Sequence, residues 1–236
     1  MDIAIIGTGR AGTSFAAALE RVGHVVRLYS HDDVSELGEP EVVMLCVPDD
    51  EIANVARQLR PGDYVVVHVA GSRNLDVLAP HRRVGSLHPL AALPSSELGA
   101  VRLRGATYCV SGDRLVVELA HSLEGRIITI RDDERTLYHA TATVAANHLV
   151  ALMGHVQRLS QAAGLRLEDF LELSRQALDD VAEFGPAKAL TGPASRGDMA
   201  TIDAHLHAIP DEERSTYVAL ANAAFELAER RESTIP

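Results

Sequence analysis

The stretch that most constrains this chain is IAIIGTGRAGTSFAAAL, residues 3–19. It sets Gly7, Gly9 and Gly12 in the spacing G-x-G-x-x-G, between a strand-like apolar run and a helix-like one. That context, more than the glycines alone, marks a dinucleotide-binding turn. Gly7 permits the tight turn, Gly9 lets the backbone approach a pyrophosphate, and Gly12 lets the helix pack closely on the strand. The phosphates then sit on free N–H groups where the helix begins, at Arg10 and Ala11.

The rest of the first half alternates as such a turn requires. Strands are predicted at Asp2–Ile6, Val25–Tyr29, Val42–Val47, Tyr64–Val69, Val84–Leu87, Thr107–Ser111 and Arg126–Ile130, with helices at Ala11–Val22, Asp50–Leu59 and Arg114–Leu123. Apolar strands alternating with helices predict a mostly parallel sheet covered on both faces. After about Asp132 no strand signal remains. Helices are predicted at Thr136–Ala163, Leu167–Phe184, Ala200–His207 and Asp211–Arg231. The expected architecture is α/β: a Rossmann-type domain at 1–132, then an all-α substrate and dimerisation domain at 133–236. Thr136–Ala163 is apolar around much of its circumference. Such a helix is buried on every side, which predicts a homodimer through the helical half, the alternative being cover by the N-terminal domain alone.

The composition narrows the function class. A net charge of −11 without a basic patch argues against nucleic acid. No run of about 18 apolar residues suggests a membrane span. The N-terminal MDIAIIGTG lacks a basic leader, so a cytoplasmic location is expected. Cys46 and Cys109, each in an apolar run, read as core residues, and no Cys or His spacing suggests a metal.

The end of the second strand selects the cofactor. An acidic residue there would hold the ribose hydroxyls of NAD. Here Ser30 and His31 take those positions, and Arg10 is free to face a 2′-phosphate, so NADP is favoured. NAD stays open through Asp32 or Asp33. Val47, Pro48 and Asp49 in VMLCVPDDEI lie at the C-terminal end of a central strand, where ligands bind in such sheets. His68 and Ser72 in VVVHVAGS, and His88 in GSLHPL, lie at that same edge. The helical half adds Tyr138, His139 and Asn147. Asn147 is eight residues after His139, which on a uniform helix is one face, about 12 Å apart.

The segments GTGRAG, VPDDEI, HVAGS, SLHPL, YHATATVAANHLVAL and ALTGPASRGD together resemble the Rossmann-like proteins that carry the C-terminal domain of unknown function 2520. These are similar to 6-phosphogluconate and β-hydroxyacid dehydrogenases, ketopantoate reductase and pyrroline-5-carboxylate reductase. The resemblance implies an NAD(P)-binding domain, a helical dimerisation domain and a cleft active site. Some members look like an alternative ketopantoate reductase. The broader group carries a lysine four residues before its helical asparagine; here that position is Thr143. Threonine is no proton donor at neutral pH, which leaves His88, His139, Tyr138 and the lone lysine, Lys188. In ALTGPASRGD, Arg196 suits a substrate carboxylate. Asp198 either holds that guanidinium or caps the next helix.

These features predict an NAD(P)H-dependent reductase of a small oxo acid, with ketopantoate the first candidate by resemblance. Two alternatives stand beside it. One is a dinucleotide-binding sensor without turnover. The other is an imine reductase similar to pyrroline-5-carboxylate reductase, whose substrate can arrive already protonated.

Overall fold

The computed structural model describes residues 1–30, 34 and 37–233. Seven strands form one sheet: β1 (Asp2–Ile6), β2 (Val25–Tyr29), β3 (Val42–Leu45), β4 (Val65–His68), β5 (Val84–Pro89), β6 (Thr107–Gly112) and β7 (Arg126–Ile128). Their order is β2-β1-β3-β4-β5-β6-β7. The pairs are parallel except β5 with β6, which is antiparallel. The chain moves from β1 out to β2, then crosses back to place β3 on the other side of β1. The C-terminal ends of β1 and β3 therefore flank the switch point of the sheet.

Helices α1 (Arg10–Arg21), α2 (Ile52–Gln58), α3 (Ser96–Leu103) and α4 (Leu115–Ser122) connect the strands. Strand side chains alternate between two faces, and each face has its own core. Ile3, Ile5, Met44, Val67 and Leu87 pack with Phe15, Leu19, Leu103 and Leu119 of α1, α3 and α4. Ala4, Ile6, Val43, Leu45 and Val66 pack with Ile52, Val55 and Ala56 of α2. α3 is absent from the expected helices, although Ser95 caps it by accepting from the Leu98 N–H at 3.3 Å. It packs tightly on α1, because a Cβ at Gly99 would stand 2.0 Å from Ser14 Oγ.

The chain forms two compact units, Met1–Ala146 and Asn147–Pro236. The first unit ends in α5 (Arg135–Thr143) and the start of a π-helical turn, Val144–His148. The second continues with α6 (Leu149–Ala162), α7 (Glu168–Phe184), α8 (Pro186–Ala189), α9 (Met199–Ala208) and α10 (Arg214–Ser233). The single helix expected over Thr136–Ala163 is thus interrupted by the π turn. This removes the uniform register on which a shared face for His139 and Asn147 depends. Asn147 is exposed, not buried.

The second unit has little core of its own. Among its described residues only His155, Ser160, Ala194, Ile202 and Glu213 are buried. Val150 is 72% exposed and Leu173 65%. An ionic tie joins α6 to the turn before α10. Glu213 accepts from His155 Nδ1 at 2.6 Å and from Arg158 through Nε and Nη2. These hydrogen bonds, Arg158 first, hold the Glu213 carboxyl down at about 2.

Candidate active site

The glycine turn has the geometry its spacing requires. Gly7 has φ +117°, and a Cβ there would stand 2.3 Å from the Cys46 carbonyl oxygen. A Cβ at Gly12 would stand 1.8 Å from the Gly7 carbonyl oxygen. Gly9 is different: nothing lies within 4 Å of its Cβ position. Two glycines are thus required by packing, and the third by open space in front of the backbone. Gly9 is the N-cap of α1, and no side chain there caps the N-terminal amides of the helix.

In front of this turn lies a cavity of about 570 Å³, lined by Gly7, Thr8, Gly9, Val47, Pro48 and Asn54 among others. It sits at the switch point between β1 and β3, where open α/β sheets bind ligands. Asp49 lies beside it but is engaged elsewhere. It accepts from Ser72 Oγ at 2.9 Å and lies 3.9 Å from Arg73 Nε, joining the loops after β3 and β4. Ser30 directly follows β2. His31, like Asp32 and Asp33, lies outside the described residues.

A second feature lies further along the sheet. By strand alternation His68, Ser86, His88, Cys109 and Ser111 all point to the face that α2 covers elsewhere. Ser86 pairs with Ser111 and His88 with Cys109 across the antiparallel β5–β6 ladder. These two polar rungs meet α5. Arg135, 1% exposed, donates from Nη1 to Ser86 Oγ at 3.3 Å and from Nη2 to Ser111 Oγ. Its Nε pairs with Asp132 at 3.2 Å. One turn on, Tyr138 Oη is hydrogen-bonded to His88 Nδ1 at 2.7 Å and also meets the Cys109 thiol. The His88 and His139 rings lie 6.2 Å apart, centroid to centroid. Gly71 presses on both: a Cβ there would stand 2.8 Å from His88 Nε2 and 2.8 Å from His139 Cδ2.

The electrostatics follow from this burial. Burial first, and then His139 and Arg135, push the His88 pKa down to about 4, against Asp49. His88 is therefore neutral near pH 7. Burial raises the Tyr138 hydroxyl, and the neighbouring Cys109 adds to that. Burial also raises Cys109. His68 has no exposed surface, and no hydrogen bond of normal geometry reaches either ring nitrogen. Burial first, and then Arg135, lower it to about 4, against Asp49 and the Asn74 backbone, which favour the charged ring.

The expected site residues fall into separate groups. His68, Ser72, His88 and His139 belong to the first unit with the glycine turn. Asn147, Lys188, Arg196 and Asp198 belong to the second. Lys188 and Arg196 are exposed. The loop around Arg196 is closed on itself: Ser195 Oγ donates to the Gly192 carbonyl at 2.8 Å, and Asp198 N to the Pro193 carbonyl at 3.0 Å. Gly192 and Gly197 take positive φ, +86° and +65°. Of the two roles open to Asp198, the cap is the one seen: it accepts from Thr201 N at 3.1 Å and Thr201 Oγ1 at 2.7 Å. No ion pair joins it to Arg196 among the described residues. Cys46 and Cys109 are both free and buried. No group of metal-ligating side chains occurs among the described residues, and no described helix is long and apolar enough to cross a membrane.

Arg135 is a site residue that the motifs do not single out. Its signal is the alternation S-x-H in GSLHPL and C-x-S in YCVSG. That alternation puts polar residues where a sheet face should be apolar.

Together these features define a Rossmann-type fold: a mostly parallel seven-stranded sheet followed by an all-helical region. Residues 109–224 match the model of the family described as Domain of unknown function (DUF2520). That match runs from within β6 to within α10. No curated protein matches it. Solved structures share the fold across nearly the whole chain. A Bacteroides fragilis protein, provisionally described as an NADP oxidoreductase, is 21% identical, with a TM-score of 0.81 over 95% of this chain and 97% of that one. A Thermotoga maritima protein is 22% identical, with a TM-score of 0.76 over 98% and 99%. Pyrroline carboxylate reductase of Plasmodium falciparum, solved with NADP bound, is 12% identical, with a TM-score of 0.65 over 99% and 97%.

Proposed function

We propose that this chain is an NADPH-dependent reductase of a small carbonyl or imine compound bearing a carboxylate. The observation that carries this reading is the glycine turn with its open cavity. Gly7 and Gly12 admit no side chain, while Gly9 faces empty space at an uncapped helix start. That arrangement fits a pyrophosphate. Gly7, Gly9, Arg10, Ala11, Gly12, Val47 and Pro48 would hold the cofactor. Ser30, without a carboxylate, favours the 2′-phosphate form, and the likeness to an NADP-bound reductase supports it. When bound, the nicotinamide supplies the hydride.

The chain's own part is orientation and the proton. The cluster of His88, Tyr138 and His139 is the best candidate for the proton source. His88 is neutral, so it acts as a hydrogen-bond donor and not as a cationic acid. Arg196, exposed in a closed loop, remains the candidate anchor for the carboxylate, with Asn147 to orient the reacting group. An oxo acid such as ketopantoate requires a proton from the cluster. A cyclic imine does not, because it is already protonated near neutral pH. The depressed His88 and the raised Tyr138, with Thr143 in place of a lysine, favour the imine over the oxo acid.

The test is NADPH oxidation against a panel of small 2-oxo acids and cyclic imines, with NADH in parallel. Turnover whose KM rises in Arg196→Ala supports the reductase. Tight NADPH binding without turnover on any compound supports a dinucleotide sensor in its place.

A further inference from the structure

Two rungs of the β5–β6 ladder are gripped by one face of α5. Arg135 takes the Ser86–Ser111 rung, and Tyr138 takes the His88–Cys109 rung. Residues three apart share a helix face, and rungs two apart share a sheet face. The two spacings are alike, about 5–7 Å. The rungs therefore act as a ruler against which α5 is set.

We propose that Arg135 is the positioning residue of the His88 cluster: its fork fixes the first turn of α5 on both serines, so that Tyr138 meets His88 Nδ1. Arg135 has 1% of its surface exposed and cannot itself touch a substrate. Its effect passes through Tyr138 to the imidazole. With Nδ1 engaged by the hydroxyl, His88 is held in one orientation; the Cys109 thiol, a weak donor beside Tyr138 Oη, leaves the hydroxyl proton for Nδ1 and so favours the Nε2–H tautomer. Its Nε2 edge is then turned toward Gly71 and His139. A guanidinium suits this task because its planar fork reaches two acceptors at a fixed spacing. The charged and titratable groups facing His88 are Arg135, Tyr138 and His139 from α5, Cys109 from β6, His68 from β4, and Asp49 from the loop after β3.

This inference rests on the reductase reading for its catalytic meaning, but its first readout needs no turnover. The full chain is labelled with ¹⁵N-histidine, and the His88 resonances are assigned through His88→Asn. Wild type should show one neutral tautomer of His88 at pH 7. Tyr138→Phe calibrates the signal by giving mixed tautomers. Arg135→Gln should give the same mixture. Arg135→Lys should as well, because an ammonium keeps the charge but not the fork. A folded Arg135→Gln chain with His88 still in one tautomer would overturn the inference and leave Arg135 a structural tie. If Arg135→Gln does not fold, Ser111→Ala removes one arm of the fork. An unchanged His88 signal there overturns the inference equally. With an active substrate in hand, Arg135→Lys should lower kcat about tenfold or more with little change in KM. Absence of turnover in wild type would count against the reductase alone, since the tautomer readout stands without it.

Discussion

Gly71 stands against the imidazole of His88 so closely that a single methyl group would come within 2.8 Å of Nε2. The contact is with the ring edge that Tyr138 leaves unengaged. Gly71→Ala should therefore displace His88 or His139 by a few tenths of an ångström. We expect about a tenfold or greater loss of kcat, with a stability loss of about 1–3 kcal/mol. Activity assays beside thermal melts check this. An unchanged kcat would remove His88 from the reaction.

The glycine turn separates folding from binding. Gly12→Ala meets a backbone oxygen at 1.8 Å and should destabilise the chain by several kcal/mol. Gly9→Ala meets nothing within 4 Å and should leave the melting temperature nearly unchanged. It should nevertheless weaken NADPH binding about tenfold or more. Calorimetric titration of the Gly9 variant decides the second half.

His68 and His88, lowered furthest among the first unit's histidines, make that unit acid-sensitive. An unfolded histidine binds its proton near 6.5, whereas His68 and His88 hold off until about 4. Between those values the unfolded chain binds more protons, so stability falls as pH falls. Each ring contributes a slope of about 1.4 kcal/mol per pH unit. Urea unfolding followed from pH 7 to pH 4 should show this slope. His68→Phe should remove about half of it.

Glu213 acts lower on the scale. Its pKa is depressed to about 2 from the ordinary 4.5, so its stabilisation is complete above 4.5 and is lost as pH falls toward 2. Glu213→Gln should destabilise the helical unit at neutral pH and make little difference at the acid end. A pH series of helix melts by circular dichroism reads this directly. Equal destabilisation at both ends would contradict the ionic tie.

The helical unit buries few apolar residues for its size, while Val150 and Leu173 stand open. We propose that a homodimer through the helical unit covers such residues. Sedimentation should give a dimer, and Val150→Asp should shift it toward monomer. A wild-type chain that is monomeric at all concentrations would refute the dimer.

Much of this is legible along the chain. The glycine spacing, the apolar strand runs and the loss of strand signal after Asp132 are local patterns, and local patterns report secondary structure and the sheet's class. The same patterns put His68, His88 and Ser72 at strand ends. Asp198 carries a helix-capping signal, and in the folded loop it caps α9.

What the tertiary structure alone decided is the company those residues keep. No spacing rule places Ser86 across from Ser111, because that pairing depends on β6 running antiparallel to β5. Nor does any rule bring Arg135 beneath the sheet, where an isolated charge is costly unless partners from distant segments surround it. The π turn at Val144–His148 is equally silent in the residue pattern, since its hydrogen bonds skip one residue more than an α-helix. Sequence determined which side chains reach the working edge of the sheet. Pairing across non-adjacent strands decided which of them touch, because contact depends on register and direction that no single segment encodes.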